Sequence, residues 1–367
     1  MKKVAVLPGD GIGKEVIEVC IPIINKLGLD INLIFGSIGW ENWVESGNPV
    51  PDETWQLISS SDAVLLGAVT SKPKRIALEE LKIPIQNDIE YISPVIQLRQ
   101  KLNLFANVRP IVAYGGDRNY EFYIIRENTE GLYSGLDFKP IPSSLKDFIC
   151  EKNAKFKKLS VDDAATIRII TESGFDRLLK FSSDWAISHG KKEIVIADKP
   201  NVFRNSSELI FNLIEKYSKL YPTLNYRVEN VDAVAMWMVR RPEKYEVIVC
   251  ENQFGDILSD VGAAVMGGLG MAYSGNFGMA SLAYFEPVHG SAPKYVGLDK
   301  ANPIAMFLTI AMLVEYLGYI KESQSIKKAV RMAVSNCSFR TFDLSGTASQ
   351  SESAEYIIQQ AVKFNEE

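Results

Sequence analysis

The 367-residue sequence predicts an α/β fold with two domains, and three features of the chain support this. Short apolar runs recur between glycine and proline turns, which is typical of strands buried on both faces of a sheet. Segments with helical periodicity separate these runs, and this alternation favours a sheet covered by helices. The length exceeds what one ordinary hydrophobic core accommodates, which favours two domains.

The first predicted elements are a strand at residues 3–7, a glycine turn at residues 8–13 and a helix at residues 14–27. The glycines of the turn follow the spacing GxGxG instead of GxGxxG, and no acidic residue closing a second strand stands out about 20 residues later. The sequence therefore predicts a tight turn from strand to helix and not the usual Rossmann fingerprint. A glycine turn still allows a ligand to approach the backbone closely.

The later segments continue the alternation of strands and helices. Residues 93–109 are predicted as a helix followed by a strand, and the glycine-rich residues 262–278 as a conformationally permissive run. Residues 136–160 are polar, with two prolines and several lysines, which indicates an excursion such as an arm that reaches a partner subunit. The other predicted strands are residues 63–69, 122–125, 192–197 and 246–250, and the other predicted helices are residues 162–189 and 304–317.

Composition and charge exclude several classes of protein. With 47% hydrophobic and 23% charged residues, the chain has the composition of a globular enzyme. The net charge of −5 provides no basic field that would favour nucleic acid. No apolar span of about 18 residues occurs, and the first apolar run is too short for the core of a signal peptide, so no membrane partner is expected.

Cysteine and histidine usage limits the metal chemistry. The four cysteines are far apart and contain no CxxC pair, which argues against a zinc site or a disulfide framework and suits a reducing, cytoplasmic location. Only His189 and His289 are present, so histidine-rich metal sites are excluded. A general base is therefore expected among lysine, tyrosine and carboxylate side chains.

Residues 251–260 carry the strongest single signal, because Asp256 and Asp260 stand four residues apart. If a helix begins at residues 257–258, both carboxylates leave the same face one turn apart. Such carboxylates repel each other unless a cation lies between them or one is protonated, and Mg²⁺ or Mn²⁺ prefers oxygen ligands in this arrangement. Asp232, at the start of an apolar helix, offers a third carboxylate. The alternative is a solvated helix face.

Three arginines end or flank apolar elements: Arg99, Arg109 and Arg126. A guanidinium group binds a carboxylate through two parallel donors, so a substrate with two or three carboxylates would need such a set. The alternative for each arginine alone is a surface ion pair.

Two side chains are candidates for proton transfer. Tyr133 lies in a turn after the strand at residues 122–125, and it could act as an acid if a nearby cation lowers its pKa, or serve as core packing. Lys199 follows the strand at residues 192–197, where burial and a neighbouring cation would depress its pKa and make it a base. The alternative for Lys199 is an ordinary surface lysine.

Seven blocks in this sequence occur in the order and spacing of one family: PGDGIG, LR…VRP, RENTEGLY, DKPN, VDAVAM, ENQFGDILSD and FEPVHGSAP…ANP. Over almost its whole length the chain resembles the β-decarboxylating dehydrogenases, which include isocitrate, 3-isopropylmalate and homoisocitrate dehydrogenases. The resemblance implies an isopropylmalate/isocitrate dehydrogenase-like fold of two α/β domains. Residues 1–104 and 267–367 would form a large cofactor-binding domain, and residues 105–266 a small domain whose arm at about 136–160 reaches the other subunit of a homodimer, with a tetramer left open.

The resemblance also implies roles for individual residues. Tyr133 and Lys199 match the catalytic pair, and Asp232, Asp256 and Asp260 match the ligands of Mg²⁺ or Mn²⁺, with Lys199 and Asp232 supplied by the partner subunit. The positions that match substrate-binding residues are Ser93, Arg99, Arg109, Arg126 and Asn201. The positions that match the cofactor site are Glu286, His289, Gly290, Ser291, Ala292, Lys294, Tyr295 and Asn302.

Cofactor and substrate are expected from departures within these blocks. Family members that use NAD carry an acidic residue where this chain has Lys294, and a cation there could pair with the 2′-phosphate of NADP. NADP is therefore the expected cofactor, with NAD as the alternative. Because this cofactor evidence agrees with the RENTEG block, which is similar to isocitrate and homoisocitrate members, isocitrate is the expected substrate. Val95 stands where isocitrate enzymes carry asparagine, and it would suit an isopropyl group. The alternatives 3-isopropylmalate, homoisocitrate and tartrate therefore stay open.

Overall fold

A computed structural model describes residues 1–84, 89–116, 118–160 and 162–367. Its main element is a ten-stranded mixed sheet, and a separate two-stranded sheet is formed by β6 (Asp137–Phe138) and β7 (Ala165–Thr166). The strands of the large sheet are β1 (Lys2–Gly9), β2 (Ile31–Phe35), β3 (Ala63–Ala68), β4 (Ala106–Val112), β5 (Glu121–Glu127), β8 (Glu193–Asp198), β9 (Asn225–Asn230), β10 (Val247–Cys250), β11 (Tyr273–Phe277) and β12 (Ala283–Pro287).

The α-helices cover both faces of the large sheet. Along β1, Val4 and Val6 belong to one apolar cluster and Ala5 and Leu7 to another, as the twofold alternation of a strand requires. The helices are α1 (Ile12–Cys20), α2 (Pro22–Lys26), α3 (Trp40–Ser46), α4 (Asp52–Ser59), α5 (Lys74–Glu79), α6 (Pro94–Lys101), α7 (Ser143–Lys152), α8 (Glu172–Ser188), α9 (Arg204–Leu220), α10 (Val231–Arg240), α11 (Asn252–Met266), α12 (Ile304–Tyr316), α13 (Ile320–Ser335) and α14 (Gln350–Glu366).

The strand order of the large sheet is β2-β1-β3-β12-β11-β4-β5-β10-β8-β9. The first five strands in this order come from residues 1–104 and 267–367, and the last five from residues 105–266. The halves meet where β11 pairs with β4 in antiparallel register, with Gly275 opposite Val108. This arrangement accords with the predicted division into domains, which stays a prediction.

The strands and helices predicted from apolar runs are present, with four corrections. The helix predicted at residues 14–27 is divided into α1 and α2, and Pro22 is the first residue of α2. The helix predicted from residue 162 begins at Glu172, because residues 165–166 pair with β6 and Ile169 pairs with Gly131. The run at residues 262–278 contains the end of α11 and the whole of β11, whose five residues are all buried. The helix that carries Asp256 begins at Asn252 and not at residues 257–258.

The glycine turn after β1 serves close backbone contact between elements. A β-carbon at Gly11 would lie 2.2 Å from the carbonyl oxygen of Ser291, and the φ angle of Gly11 is +52°. A β-carbon at Gly9 would lie 2.2 Å from the carbonyl oxygen of Ala68, so these two glycines allow β1, β3 and the loop after β12 to approach. The amide of Ile12 donates a hydrogen bond of 2.9 Å to Ser291, which ties α1 to that loop.

Helix α12 forms the centre of the larger apolar cluster. Its residues from Ile304 to Val314 are buried on every side, which explains why its apolar character shows no single face. Within the described ranges, no helix combines the length and the apolar character needed to cross a bilayer.

Candidate active site

A cavity of about 200 Å³ lies beside the carboxyl ends of the parallel strands β3 and β12, where open α/β sheets bind their ligands. Six of the residues expected to bind substrate or cofactor contribute to its wall: Ser93, Arg99, Arg109, Glu286, His289 and Gly290. Val69 and Val95 form an apolar part of the same wall. The cavity therefore brings together residues that are almost 200 positions apart in the sequence.

Arg99, on α6, is held against the end of β12. Its Nε donates to the hydroxyl of Tyr284 at 3.0 Å, and its Nη2 lies 3.1 Å from Oε1 of Glu286. Burial alone would lower the pKa of Arg99, but Tyr284 and Glu286 raise that pKa above its usual value. Glu286 also accepts from the amide of Asn276 at 3.1 Å. In this chain Glu286 thus anchors Arg99, in addition to the cofactor contact expected from the sequence.

Arg109, on β4, is buried and is fixed mainly by neutral partners. Its Nε donates to Asn107 at 2.8 Å and its Nη1 to the hydroxyl of Ser259 at 2.5 Å. Two carboxylates lie somewhat further away, Asp256 at 3.8 Å and Asp260 at 3.5 Å. Burial, together with the charge of Arg99, lowers the pKa of Arg109, so another anion at this point would be stabilised.

Arg126, at the end of β5, lies against the first turn of α11. Its Nε and Nη2 donate to Oδ1 of Asn252 at 3.0 and 2.7 Å, and its Nη1 pairs with Asp256. A β-carbon at Gly255 would lie 2.5 Å from Cγ of Arg126, so only glycine leaves room for this side chain. Burial and the charges of Arg99 and Arg109 lower the pKa of Arg126 to about 10.

Asp256 and Asp260 lie one turn apart on α11, as the sequence predicts. Their side chains are 40% and 64% exposed, so both remain open to a ligand. Burial works to raise the pKa of Asp256, but the charges of Arg126 and Arg109 outweigh it and the pKa lies below its usual value. The donor set consists of carboxylate oxygens alone, which fits Mg²⁺ or Mn²⁺.

Asp232, the third expected ligand, lies in the first turn of α10 and pairs with Lys199 at 2.5 Å. In the described part of the chain, no group of three acidic, histidine or cysteine residues is close enough to hold a metal ion. One chain thus supplies two of the three expected ligands at one place, and the expectation that Asp232 comes from a partner stays a prediction.

Tyr133 lies in a short 3₁₀ turn after β5, and its hydroxyl donates to Asp256 at 2.9 Å. The ring also lies 5.5 Å from the guanidinium carbon of Arg126. Burial raises the pKa of Tyr133, and the Asp256 charge raises it further, while Arg126 opposes them less strongly. The sequence argument made the acid role conditional on a cation that lowers this pKa; Arg126 does act to lower the pKa, but burial and Asp256 outweigh it.

Lys199 follows β8 directly, and its side chain is about one quarter exposed. Its charged partner is the carboxylate of Asp232 and not the cation that the sequence argument supposed. Asn201 is exposed in the following turn. Among the described residues, neither Lys199 nor Asp232 forms an ion pair or hydrogen bond with the three arginines or with Asp256.

The loop after β12 carries most of the expected cofactor residues. The Nδ1 of His289 lies 3.1 Å from the carbonyl oxygen of Gly290, while its Nε2 is buried without a hydrogen-bond partner among the described residues. Burial lowers the pKa of His289, so the ring is neutral near pH 7. Such an unpartnered nitrogen fits a donor or acceptor on a nucleotide base. Ser291 binds the hydroxyl of Thr70 at 2.6 Å, and Ala292 adopts a left-handed conformation with φ of 36°.

The remaining cofactor candidates continue along this loop. The ammonium of Lys294 lies 4.9 Å from the centre of the Tyr295 ring, which in turn contacts the ring of Phe342. Asn302 orders the turn before α12. Its side-chain oxygen accepts from the backbone amide of Ile304 at 2.9 Å, and its side-chain nitrogen donates to Asp343 at 2.9 Å. Lys294 is therefore placed on an aromatic support at the edge of the loop.

Several residues that shape the site were not identified from the sequence. They are neutral amides and hydroxyls that hold the arginines or Glu286: Asn107, Asn252, Ser259, Asn276 and Tyr284. The positions of Asn252 and Ser259, both within the ENQFGDILSD block that carries the two aspartates, were the available signals. The other three lie in ordinary apolar strands, where the sequence offers no reason to single them out.

Comparison with known proteins accounts for this arrangement. The sequence model of the isocitrate/isopropylmalate dehydrogenase family matches residues 3–360. The chain belongs to this family. The fold of this chain is therefore the isocitrate/isopropylmalate dehydrogenase fold. The members of the family are oxidoreductases that perform β-decarboxylating dehydrogenation.

Individual family members differ in the substrate that they are named for. The chain is 46% identical to protein DlpA of Legionella pneumophila over 99% of this chain, but it spans 59% of the length of that relative. It is 37% identical to a homoisocitrate dehydrogenase of Methanocaldococcus jannaschii over 92% of this chain and 91% of that protein. The crystal structure of isocitrate dehydrogenase from Methylococcus capsulatus superimposes with a TM-score of 0.84 at 31% identity, covering 98% of this chain and 99% of that one.

Proposed function

We propose that this family member catalyses the NADP⁺-dependent oxidative decarboxylation of isocitrate to 2-oxoglutarate with Mg²⁺ or Mn²⁺. The observation that carries the proposal is a connected cluster of charge: Arg99 and Arg109 line the cavity, and Arg109 and Arg126 lie against Asp256 and Asp260. A small ligand with several carboxylates and a hydroxyl group matches this distribution of charge. We also propose a cytoplasmic location, because the four cysteines are far apart in the sequence and suit a reducing compartment.

The partners of two of the arginines support substrate binding. Asn107, Ser259 and Asn252 orient Arg109 and Arg126 through neutral hydrogen bonds, while Asp256 pairs with Arg126 and lies 3.8 Å from Arg109. The guanidinium groups are thus held in place for substrate carboxylates, and the low dielectric of a buried site strengthens the attraction. Ser93 and Asn201 would add hydrogen bonds to the same substrate.

The proposed chemistry divides proton transfer between two residues. When bound, NADP⁺ would supply a hydride acceptor for C2, and a divalent cation would supply Lewis-acid stabilisation of the negative charge that develops. Lys199 accepts the proton of the C2 hydroxyl, directly or through water. The resulting β-keto acid loses CO₂, and Tyr133, whose raised pKa keeps it protonated, donates a proton to the enol carbon. Asp256 and Asp260, with Asp232 of a second subunit, would hold the cation.

The placement of Lys199 and Asp232 supports a shared active site in a homodimer. These two residues pair with each other, whereas Tyr133 and Asp256 form a separate group with Arg126. Large apolar side chains on α10 and α11 are exposed, with Met236, Val239 and Ile257 each about half accessible. Burying such residues between two copies would stabilise a dimer and bring the two groups together.

A second candidate substrate is 3-isopropylmalate. Val69 and Val95 present an apolar wall in the same cavity as Arg99, and this wall would suit an isopropyl group. Ser93 and Ser71 present hydroxyls in that cavity, and these suit the additional carboxylate of isocitrate. Homoisocitrate and tartrate would use the same arginines, so they belong in the same test.

The proposal is tested by following the absorbance of reduced nicotinamide during turnover. Isocitrate, 3-isopropylmalate, homoisocitrate, tartrate and malate are each supplied with NADP⁺ or NAD⁺ in the presence of Mn²⁺. We expect isocitrate with NADP⁺ to give the highest kcat/KM. Faster turnover of 3-isopropylmalate would replace the substrate but keep the reaction class, while no Mn²⁺-dependent reduction with any acid would contradict the class itself.

Lys294→Asp should reverse the preference for cofactor. The lysine ammonium would form a charge-assisted hydrogen bond with the 2′-phosphate of NADP⁺, worth about 1.5–3 kcal/mol. The variant should therefore lose roughly 10- to 100-fold in kcat/KM for NADP⁺ and gain for NAD⁺, since an aspartate accepts from the ribose hydroxyl. Lys300→Asp, an exposed lysine six residues further on, is the matched control. Equal loss in both variants would argue against the assignment.

A further inference from the structure

The chain that leaves the arm braces the turn of Tyr133 on both sides. The amide of Gly131 donates to the carbonyl of Ile169 at 2.8 Å, and the amide of Ile167 donates to the carbonyl of Leu136 at 2.8 Å. Residues 165–166 also form β7, which pairs with β6 at the base of the arm. Arg168 lies between these two hydrogen bonds, so its backbone is fixed beside the Tyr133 turn.

The side chain of Arg168 is 13% exposed and reaches two buried carboxylates. Its Nη2 lies 3.9 Å from Oδ1 of Asp198, and its Nε lies 3.7 Å from Oε2 of Glu251. The guanidinium carbon stacks 4.4 Å from the ring centre of Phe203 and 5.6 Å from that of Phe254. The arginine is therefore enclosed by two negative charges and two aromatic faces.

The two carboxylates each adjoin a residue of the proposed site. Asp198 ends β8 and immediately precedes Lys199, and its other oxygen accepts from Ser207 at 2.5 Å. Glu251 immediately precedes Asn252, which orients Arg126, and its Oε1 accepts from the amide of Phe254 and so caps α11. A displacement of either carboxylate would thus move a residue that the proposed reaction uses.

We propose that Arg168 is a positioning residue that holds the segments carrying Tyr133, Lys199 and Arg126 in one mutual arrangement. The proposal rests on the function proposed above, which gives those three residues their roles. In the proposed dimer, Lys199 serves the active site of the partner subunit while Arg126 and Tyr133 serve their own. Arg168 would then link the two active sites through a single charged cluster at the base of the arm.

The contacts of Arg168 differ from those of an ordinary structural arginine in the same domain. Arg177 also stacks on a ring, Phe105 at 4.6 Å, and faces a carboxylate, Glu127 at 3.7 Å. Its terminal nitrogens, however, donate hydrogen bonds of 3.0 and 2.8 Å to Asn103 and Thr129. The Nε and Nη2 of Arg168 lack such partners among the described residues, while its Nη1 donates to the hydroxyl of Ser206 at 3.4 Å. Charge and ring stacking hold these two nitrogens, so the geometry depends on the full guanidinium group.

The test compares Arg168→Met and Arg168→Lys with the matched control Arg177→Met in the full-length protein. We expect Arg168→Met to lower kcat by about 10- to 100-fold, the effect of misplacing catalytic groups by about 1 Å. KM for the hydroxy acid should rise as well, because Arg126 moves, while KM for the cofactor stays unchanged. Arg168→Lys should recover part of kcat, and Arg177→Met should leave both kinetic constants close to those of the unaltered protein.

A second readout does not require turnover. Limited acetylation followed by mass spectrometry measures the reactivity of Lys199 relative to that of Lys191. Lys191 lies two residues before the first residue of β8, whereas Lys199 directly follows its last residue. We expect Arg168→Met to change the labelling of Lys199 several-fold and to leave Lys191 unchanged. If Arg168→Met does not fold, Arg168→Lys carries both measurements with smaller changes in the same direction.

The outcomes separate this inference from the proposed function. If kcat of Arg168→Met falls only in proportion to the folded fraction and the labelling of Lys199 is unchanged, the positioning role is overturned. If the unaltered protein reduces no cofactor with any acid, the proposed function fails, and the Lys199 labelling then decides whether Arg168 still controls that segment.

Discussion

Lys199→Met should lower kcat by about 10²–10⁴-fold, the range expected when a general base is removed. Methionine preserves the length and most of the apolar volume of the side chain but cannot accept a proton. The ammonium lies at the end of β8, 2.5 Å from Asp232, and its side chain is only 24% exposed, so water cannot readily replace it at the same point. Binding should change far less than turnover, because the arginines and not Lys199 hold the carboxylates.

Lys191→Met is the control for this prediction. Lys191 is similarly buried, is paired with Glu121 at 3.3 Å and lies just before β8, at the opposite end of the strand from Lys199. Steady-state kcat and KM are measured for both variants, with thermal unfolding to verify that each is folded. A Lys199→Met protein that retains more than about a tenth of wild-type kcat would exclude Lys199 as the base.

Asp256→Asn should reduce kcat/KM by at least about 10²-fold, since even outer residues of a metal site change affinity or activity by about 10- to 100-fold. The substitution removes one of the two carboxylates that face a common site on α11. It also leaves Arg126 without its ion pair and the hydroxyl of Tyr133 without its charged acceptor. Binding of Mn²⁺, followed by electron paramagnetic resonance, should weaken in parallel with activity, and excess chelator should abolish turnover of the unaltered protein.

The same substitution should change the response of the protein to acid. The pKa of Asp256 is depressed in the folded chain, so its ion pair contributes stability above the unfolded pKa of about 4 and loses it as pH falls through the folded value. Asp256→Asn should remove this part of the acid dependence. Asp176→Asn, which breaks the ion pair between Asp176 of α8 and Lys216 of α9, serves as the control. For the metal-binding measurement, an unaltered Mn²⁺ affinity in Asp256→Asn would exclude Asp256 as a ligand of the cation.

Sequence patterns predicted the strands whose residues are apolar throughout. The runs at residues 3–7 and 63–69 became β1 and β3, because a strand buried on both faces requires apolar residues at every position. Strand β11 was missed since it includes Gly275 and Asn276, residues that disfavour strands in isolation. Its place between β12 and β4 comes from pairing with distant strands, which local propensity does not report.

The same limit explains the helix that was predicted to begin too early. Isoleucines at residues 167, 169 and 170 fit both a helical face and a strand, and short apolar runs do not distinguish the two. Pairing with Gly131 and Leu136 decides the outcome in favour of extended chain. Thr171 then caps α8 by accepting from the amide of Gly174, so the helix begins where its first amides find a side-chain acceptor.

The chemical types in the candidate site followed from motifs, whereas their supports did not. Arg99 and Arg109 were identified because they end or flank apolar elements, and Asp256 because Asp260 stands four residues away. Asn276, which accepts from Asn107 at 2.9 Å and donates to Glu286 at 3.1 Å, lies 169 residues from the first of these partners. The direction of the Tyr133 pKa shift was likewise inaccessible, because it depends first on burial of the hydroxyl and then on the opposing charges of Asp256 and Arg126.

The antiparallel ladder that runs without interruption from β12 through β11 and β4 to β5 has a mechanical consequence. Backbone hydrogen bonds span the boundary between the two halves, so neither half can slide or detach without breaking them. A change in the width of the cavity would instead require a change in the twist of these four strands, spread over many small rotations of φ and ψ. We therefore expect relative movements of the two halves to be small and distributed over the sheet, without a single hinge.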